Sequence, residues 1–247
     1  FTALPTALAV TTVSAVFDGN TVDGCGITAG LDSIVVTGTA GLAVTNNTIK
    51  NSKDNIINVA ANGDLVNVMF NTFSGNVTNA TNAVGTVLNA THNFWSGAAV
   101  PASTATVSYA NPLGAAPVGG AFALVATLDN TTNAGVNVLA STGSTLLGAA
   151  SFATNPVAVV PTPTIAGSTV TIKRYFDVFG VGTATATIRF FGTAAAPVVA
   201  TDEVWFYNAA WGRWDKAAQT VNAFGGYVEV TVGVAPGSDR AAEEPVR

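Results

Sequence analysis

One phrase returns four times in the first hundred residues: Asn20-Thr21-Val22, Asn47-Thr48-Ile49, Asn71-Thr72-Phe73 and Asn93-Phe94-Trp95, at separations of 27, 24 and 22 residues. Each time an asparagine stands two residues before a large apolar side chain. Self-similarity at roughly 20 to 50 residues marks a stacked-repeat architecture and takes precedence over local propensity. Apolar residues also precede the first three asparagines: Phe17, Val44, and the run Val68 to Phe70.

Shorter apolar runs lie between these marks: Ile34-Val35-Val36 before Thr37-Gly38, Ile56-Ile57 before Asn62-Gly63, and Val84 to Leu88. Several short strands per repeat, with no helical period, are what one coil of a parallel β-helix requires. Each coil then lies one strand spacing, about 4.8 Å, from the last. Stacking aligns Asn20, Asn47, Asn71 and Asn93 in a column whose side-chain amides bond along the axis.

Val44-Thr45-Asn46-Asn47-Thr48-Ile49-Lys50-Asn51-Ser52, Phe70-Asn71-Thr72-Phe73-Ser74-Gly75-Asn76 and the closing Asn93-Phe94-Trp95-Ser96-Gly97 resemble right-handed parallel β-helix proteins of the pectin-lyase-like superfamily. In secreted and cell-surface members the last coil often closes on an Asn-aromatic-Trp-Gly phrase, from which this chain departs by placing Ser96 before Gly97. The resemblance covers residues 13 to 97 and implies fold more than function.

After residue 97 the pattern changes. Residues 98–119 hold Pro101, Pro112 and Pro117 and read as a connector or cap. Phe122–Leu128, Val136–Leu139, Val157–Val160, Thr169–Val178, Ala184–Phe191, Val204–Tyr207 and Tyr227–Val232 then read as short strands of an antiparallel β-sandwich. The stretch Trp205 to Trp214 reads as an aromatic hairpin turning near Gly212, like hairpins in sandwich modules that follow β-helices in bacterial and archaeal surface proteins. Residues 237–247 carry five charges and read as a tail. The expected chain is all-β: a short right-handed parallel β-helix (1–97), a connector (98–119), a β-sandwich (120–236) and a charged tail (237–247).

Charge restricts function. Charged residues make up 9% of the 247, against about 25% in ordinary domains, and the net charge is -5. From Leu65 to Ile172, 108 residues, Asp129 is the single charged side chain, and no arginine precedes Arg174. Nucleic acid and anionic membrane surfaces, which need basic residues, are poor partners. Apolar stretches are too interrupted to span a membrane as a helix. No basic segment leads into an apolar one, so numbering starts at a processed terminus or inside a longer precursor.

Candidate chemistry is sparse. Cys25, the one cysteine, reads as buried, and His92, the one histidine, as structural. A lyase on the β-helix would draw on Lys50 or Lys53 as base, with Asp18, Asp23, Asp32, Asp54 and Asp64 as acids. A hydrolase would pair Asp32 with Asp54, or Asp54 with Asp64. These aspartates also suit plain turns, and they leave calcium open as a weakly supported ion, with no other cofactor indicated. Sequons at Asn46, Asn76, Asn79, Asn89 and Asn130 permit N-glycosylation. Trp205, Tyr207, Trp211 and Trp214 are candidates for glycan stacking or protein contact. Phe1 and Leu4 belong to a neutral N-terminal stretch at the open end of the stack, which either continues a longer β-helix or meets a neighbouring subunit.

The expected function is a non-enzymatic structural protein at the cell surface, self-assembling into a layer or filament. A carbohydrate-binding adhesin is the alternative, and a polysaccharide lyase or hydrolase comes third.

Overall fold

The computed structural model describes the chain except residues 12–14, 28–29, 38–41, 61–65, 77, 83–86, 98, 125, 157–170, 183–184, 209–212, 234–240 and 247, and describes the backbone alone at 78–79, 208 and 241–246. It divides into two units, Phe1–Ala116 and Pro117–Arg247. No helix occurs among the described residues.

The first unit is a parallel β-helix with three faces. One face holds β1 (Leu8–Val10), β4 (Ile34–Val36), β7 (Asn55–Val59) and β10 (Thr78–Asn82). The second holds β2 (Ala15–Asp18), β5 (Leu42–Thr45), β8 (Val66–Met69), β11 (Leu88–Asn89) and β13 (Val107–Ser108). The third holds β3 (Thr21–Asp23), β6 (Thr48–Lys50), β9 (Thr72–Ser74) and β12 (Phe94–Trp95). All of these pairings are parallel and in register, so like residues stack: Val22 on Ile49 on Phe73 on Trp95, and Phe17 on Val44 on Val68.

These inward columns form one apolar core, joined by Cys25, which is fully buried. Strand alternation places every second residue there, so three or four residues per strand suffice. The interior closes on aromatics: Phe73 lies 4.7 Å from Trp95, and Trp95 5.7 Å from Tyr109. Tyr109 Oη accepts from Ala80 N (2.9 Å) and donates to Ala80 O (3.1 Å), tying the end of the stack to β10.

Three sequence expectations change here. Ser96 is no insertion: Ser96 N bonds Phe73 O, and Gly97 takes the left-handed corner occupied by Gly24, Asn51 and Gly75 in the earlier coils. Residues 98–119 are more than a connector, since β13 adds a fifth strand to the second face. The fourth strand of the first face is the polar β10 rather than Val84–Leu88; Ala80 fills its inward site opposite Ile57, while Leu88 belongs to β11. Residues 83–86 lie outside the described residues.

The second unit is an antiparallel sandwich. Its first sheet runs β14 (Gly119–Ala123), β17 (Leu146–Phe152), β18 (Arg174–Val181), β24 (Ala241–Val246). Its second runs β15 (Leu128–Asn130), β16 (Val136–Thr142), β19 (Thr185–Phe191), β23 (Tyr227–Gly233), β22 (Gln219–Asn222). A separate ribbon pairs β20 (Trp205–Asn208) with β21 (Arg213–Lys216). Both sheets feed one core, in which Phe176 of the first meets Phe190 of the second with ring centroids 4.9 Å apart. Val228 and Val230 face inward, as the alternation of Tyr227–Val232 predicts.

The segment read as one strand, Phe122–Leu128, is split between β14 and β15, and residues 241–246 of the expected tail form β24, antiparallel to β18. The expected strand Val157–Val160 lies outside the described residues, and β18 begins at Arg174 rather than Thr169. β17 lacks the alternation that would announce it because both of its faces are buried. Its Gly148 sits under the Phe179 ring, where a Cβ would stand 2.3 Å from Cε1 and Cζ.

Gly148→Ala therefore forces the buried Phe179 ring out of its place. Urea denaturation is expected to show a loss of about 1 to 3 kcal/mol, typical of overpacking.

Candidate functional site

The asparagine column forms at the corner between the second and third faces. The residue before each asparagine has positive φ: Gly19 at 68°, Asn46 at 56°, Phe70 at 59° and His92 at 53°. That left-handed residue turns the chain sharply and aims the next side chain along the stack. Glycine and asparagine adopt it readily, whereas for Phe70 it is strained and needs support from its surroundings.

The support is a chain of amide bonds. Asn20 N donates to Asn47 Oδ1 (2.8 Å), Asn47 N to Asn71 Oδ1 (3.0 Å) and Asn71 N to Asn93 Oδ1 (2.9 Å). The side-chain Nδ2 groups of Asn20, Asn47 and Asn71 reach the same acceptors. Asn47, Asn71 and Asn93 also donate Nδ2 to the preceding coil, at Phe17 O, Val44 O and Val68 O. Each interior asparagine thus ties three coils together, and Asn47, Asn71 and Asn93 are almost wholly buried.

The column stops for a chemical reason. Asn111, again left-handed with φ 52°, continues the corner, and the bridge of Phe94 to Leu113 sets Pro112 beside Asn93. Proline has no N–H and no side-chain acceptor, so it cannot extend the column. At the other end, Asn20 Oδ1 faces no preceding asparagine and its Nδ2 turns back to Asp18 O (2.9 Å). There Phe1 packs on Phe17, ring centroids 5.6 Å apart, and the Thr2–Asp23 bridge extends the third face. Phe1, Leu4 and Val16 stay exposed, Val16 at 73%.

The candidate acids serve as acceptors in corners and between coils. Asp18 accepts from Thr45 Oγ1 and Asn46 Nδ2, both at 2.6 Å, and buried Asp32 from Asn55 Nδ2 (2.6 Å) and Asn58 Nδ2 (2.7 Å). Asp54 accepts from Gly30 N. Asp23 takes Asn51 Nδ2 at 2.8 Å and faces Lys50 Nζ at 3.2 Å; the Asn51 amide, then Lys50, hold its carboxyl below the usual range. Lys53 is exposed, and Asp64 lies outside the described residues. His92 is a corner residue with Nδ1 3.0 Å from Thr91 Oγ1. Among the described residues no three His, Cys, Asp or Glu side chains converge as a metal site would require. No helix among them is long and apolar enough to cross a membrane.

The sequons meet different surroundings. Asn130 is buried and donates to Ala149 O (3.2 Å), which closes it to modification in the folded chain. Asn46 is engaged with Asp18, as above. Asn76 does for Ser52 what the column does elsewhere, accepting Ser52 N at 2.9 Å and donating to Ile49 O at 3.0 Å. Only the sequon marks Asn76 in the sequence, and it says nothing of this role. Asn89 is half-buried on the outward side of β11, with Oδ1 accepting from Thr91 Oγ1 at 2.8 Å and Nδ2 reaching Asn67 Oδ1 at 3.4 Å. The Asn79 side chain lies outside the described residues.

In the ribbon, Trp205, Tyr207 and Trp214 share the face opposite Phe206, which packs into the sandwich core. Tyr207 and Trp214 meet edge to face at 5.5 Å, and Glu203 holds both Trp205 Nε1 (3.0 Å) and Lys216 Nζ (2.7 Å). Trp211 and the turn at Gly212 lie outside the described residues. No protein-family model, no curated protein and no solved structure matches the chain.

Two outcomes follow. Asn71→Ala strands several buried partners at once and should cost about 2 to 5 kcal/mol in chemical denaturation, whereas half-buried Asn20→Ala should cost about 1 kcal/mol. Because Asp23 titrates lower in the folded chain than in the unfolded one, its contribution is complete above its ordinary value of 3.8 and fades as pH falls below it. Asp23→Asn should therefore flatten the acid limb of a stability-against-pH curve and leave its shape near neutrality unchanged.

Proposed function

We propose that the chain is a non-enzymatic structural protein of the cell exterior that assembles with copies of itself into a surface layer or filament. The observation that carries this reading is where the polar side chains of the β-helix are used. Asp18, Asp32 and Asp54, three of the candidate acids of a polysaccharide lyase or hydrolase, bond within corners or between coils and so help to hold the stack together. The likeness of residues 13–97 to pectin-lyase-like surface proteins, and a surface poor in charge, support the same reading. Among the sequons whose side chains are described, Asn89 is the one best suited to carry a glycan.

Copies meet at the first coil, where β1 and β2 end their sheets and Phe1, Leu4 and Val16 are exposed. Unpaired strand edges beside apolar side chains favour strand addition. The contact is not a continuation of the asparagine column, because Pro112 closes that column at its far end.

Negative-stain microscopy and light scattering on the purified chain test this. Regular filaments or sheets are expected, and Val16→Lys should reduce them to monomers with an unchanged melting temperature. A monomer at every concentration, with and without calcium, overturns the proposal. The aromatic face of the ribbon favours the adhesin as a second reading, which gains if immobilised glycans retain the chain and Trp214→Ala releases it.

A further inference from the structure

Arg174 opens β18 and differs from the other basic residues that the structure describes. Lys50, Lys173, Arg189, Arg213 and Lys216 each face a carboxylate, and Lys53 stands in solvent. Arg174 is half-buried with no carboxylate beside it among the described residues. Three neighbours set its guanidinium in place. Nη2 donates to Ser151 Oγ at 2.8 Å, Cζ lies 5.5 Å from the centre of the Phe176 ring, and Gly135 leaves the room that Nη1 occupies. A Cβ on Gly135 would come within 2.7 Å of Nη1. The other N–H groups of the fork have no acceptor among the described residues.

Arg174 also lines a small cavity of about 20 Å³, with Lys173, Phe176, Phe191, Thr193, Val198 and Asp202 in its walls. Asp202 does not neutralise Arg174. Its Oδ2 is taken by Lys173 Nζ (2.7 Å) and Val199 N (2.9 Å), so that pair cancels, and among the described residues no carboxylate compensates Arg174. Loss of hydration pushes the guanidinium below its ordinary pKa, though an arginine stays charged near neutrality. The space holds little more than one water, which admits the head of a ligand and leaves its body outside.

We propose that this cavity is an anion site that takes the carboxylate head of a small acid, bound by the Arg174 fork against the Phe176 ring. Planar carboxylates match the guanidinium fork, and such charge-assisted pairs are stronger where water is partly excluded. The site lies in the sandwich and does not depend on assembly through the first coil.

The test is an amide-proton NMR titration of the full chain with sodium acetate and, separately, with acetamide, at constant ionic strength. Acetate should shift the Gly135, Ser151 and Thr193 amides saturably, and acetamide, of the same shape without charge, should not. Arg174→Gln should weaken acetate at least about tenfold, with Arg174→Lys between the two because it keeps charge and loses the fork. A glucuronate arm separates sources of the head: binding tighter than acetate assigns it to an acidic sugar, and equal binding to a simple acid, either supporting the site. Equal shifts with acetamide, no saturable shift with acetate, or an undiminished response in folded Arg174→Gln would overturn it. The acetate and acetamide comparison on the unaltered chain decides the matter even if the variants fail to fold.

Discussion

The β-helix depends on one bond repeated along its axis, a backbone N–H of one coil donated to the side-chain Oδ1 of an asparagine in the next. Strand ladders alone leave a corner incomplete, because the N–H groups of Asn20, Asn47 and Asn71 meet a side-chain oxygen and no backbone carbonyl of the next coil. Buried there, their N–H groups would each cost a desolvated donor. The asparagine supplies the acceptor and, through Nδ2, reaches back to a carbonyl of the coil before it. Because donor and acceptor belong to different coils, each bond fixes the register of one coil on the next.

That constraint explains residues which look misplaced. Phe70 and His92 adopt a backbone conformation that favours glycine or asparagine, and they hold it between two asparagine bonds and a direct bond from Phe70 N to His92 O (2.8 Å). Packing then compensates the strain, since Phe70 is fully buried and its ring lies 6.3 Å from His92. The same dependence gives the column a polarity. It offers an acceptor at its first asparagine and ends in a proline, so its two ends are chemically different surfaces, and any assembly through them joins unlike partners or uses one end alone.

What could be read from the sequence follows from where a signal has to lie. The column and the inward residues of the second and third faces were legible because they recur: Asn20, Asn47, Asn71 and Asn93, with Val22, Ile49, Phe73 and Trp95 two positions on. β10 was not, because Thr78–Asn82 needs only Ala80 inside and is polar elsewhere. β17 was missed for the opposite reason. With both faces buried it has no alternation, and the small residues Gly148, Ala149 and Ala150 are set by what packs on them, which no local pattern records. β24 looked like a tail because an edge strand may carry charge and proline, both of which also mark unstructured ends. Arg174 gave no sign at all, since its setting against Ser151, Phe176 and Gly135 is a property of segments distant in sequence meeting.

In this stack, side chains at the corners hold one coil to the next. Every corner must satisfy its own polar groups, and Asp18, Asp32 and Asp54 are among the side chains that do so. Asp18 shows the conflict directly: freeing its carboxylate for a substrate would strip Thr45 and Asn46 of their acceptor in the neighbouring coil. A sandwich has no such obligation, because its backbone ladders are complete without side chains. The aromatic face of the ribbon and the Arg174 fork both lie in that second unit. In the β-helix, by contrast, Asp18, Asp32 and Asp54 are committed to bonds that hold coil to coil or close a corner.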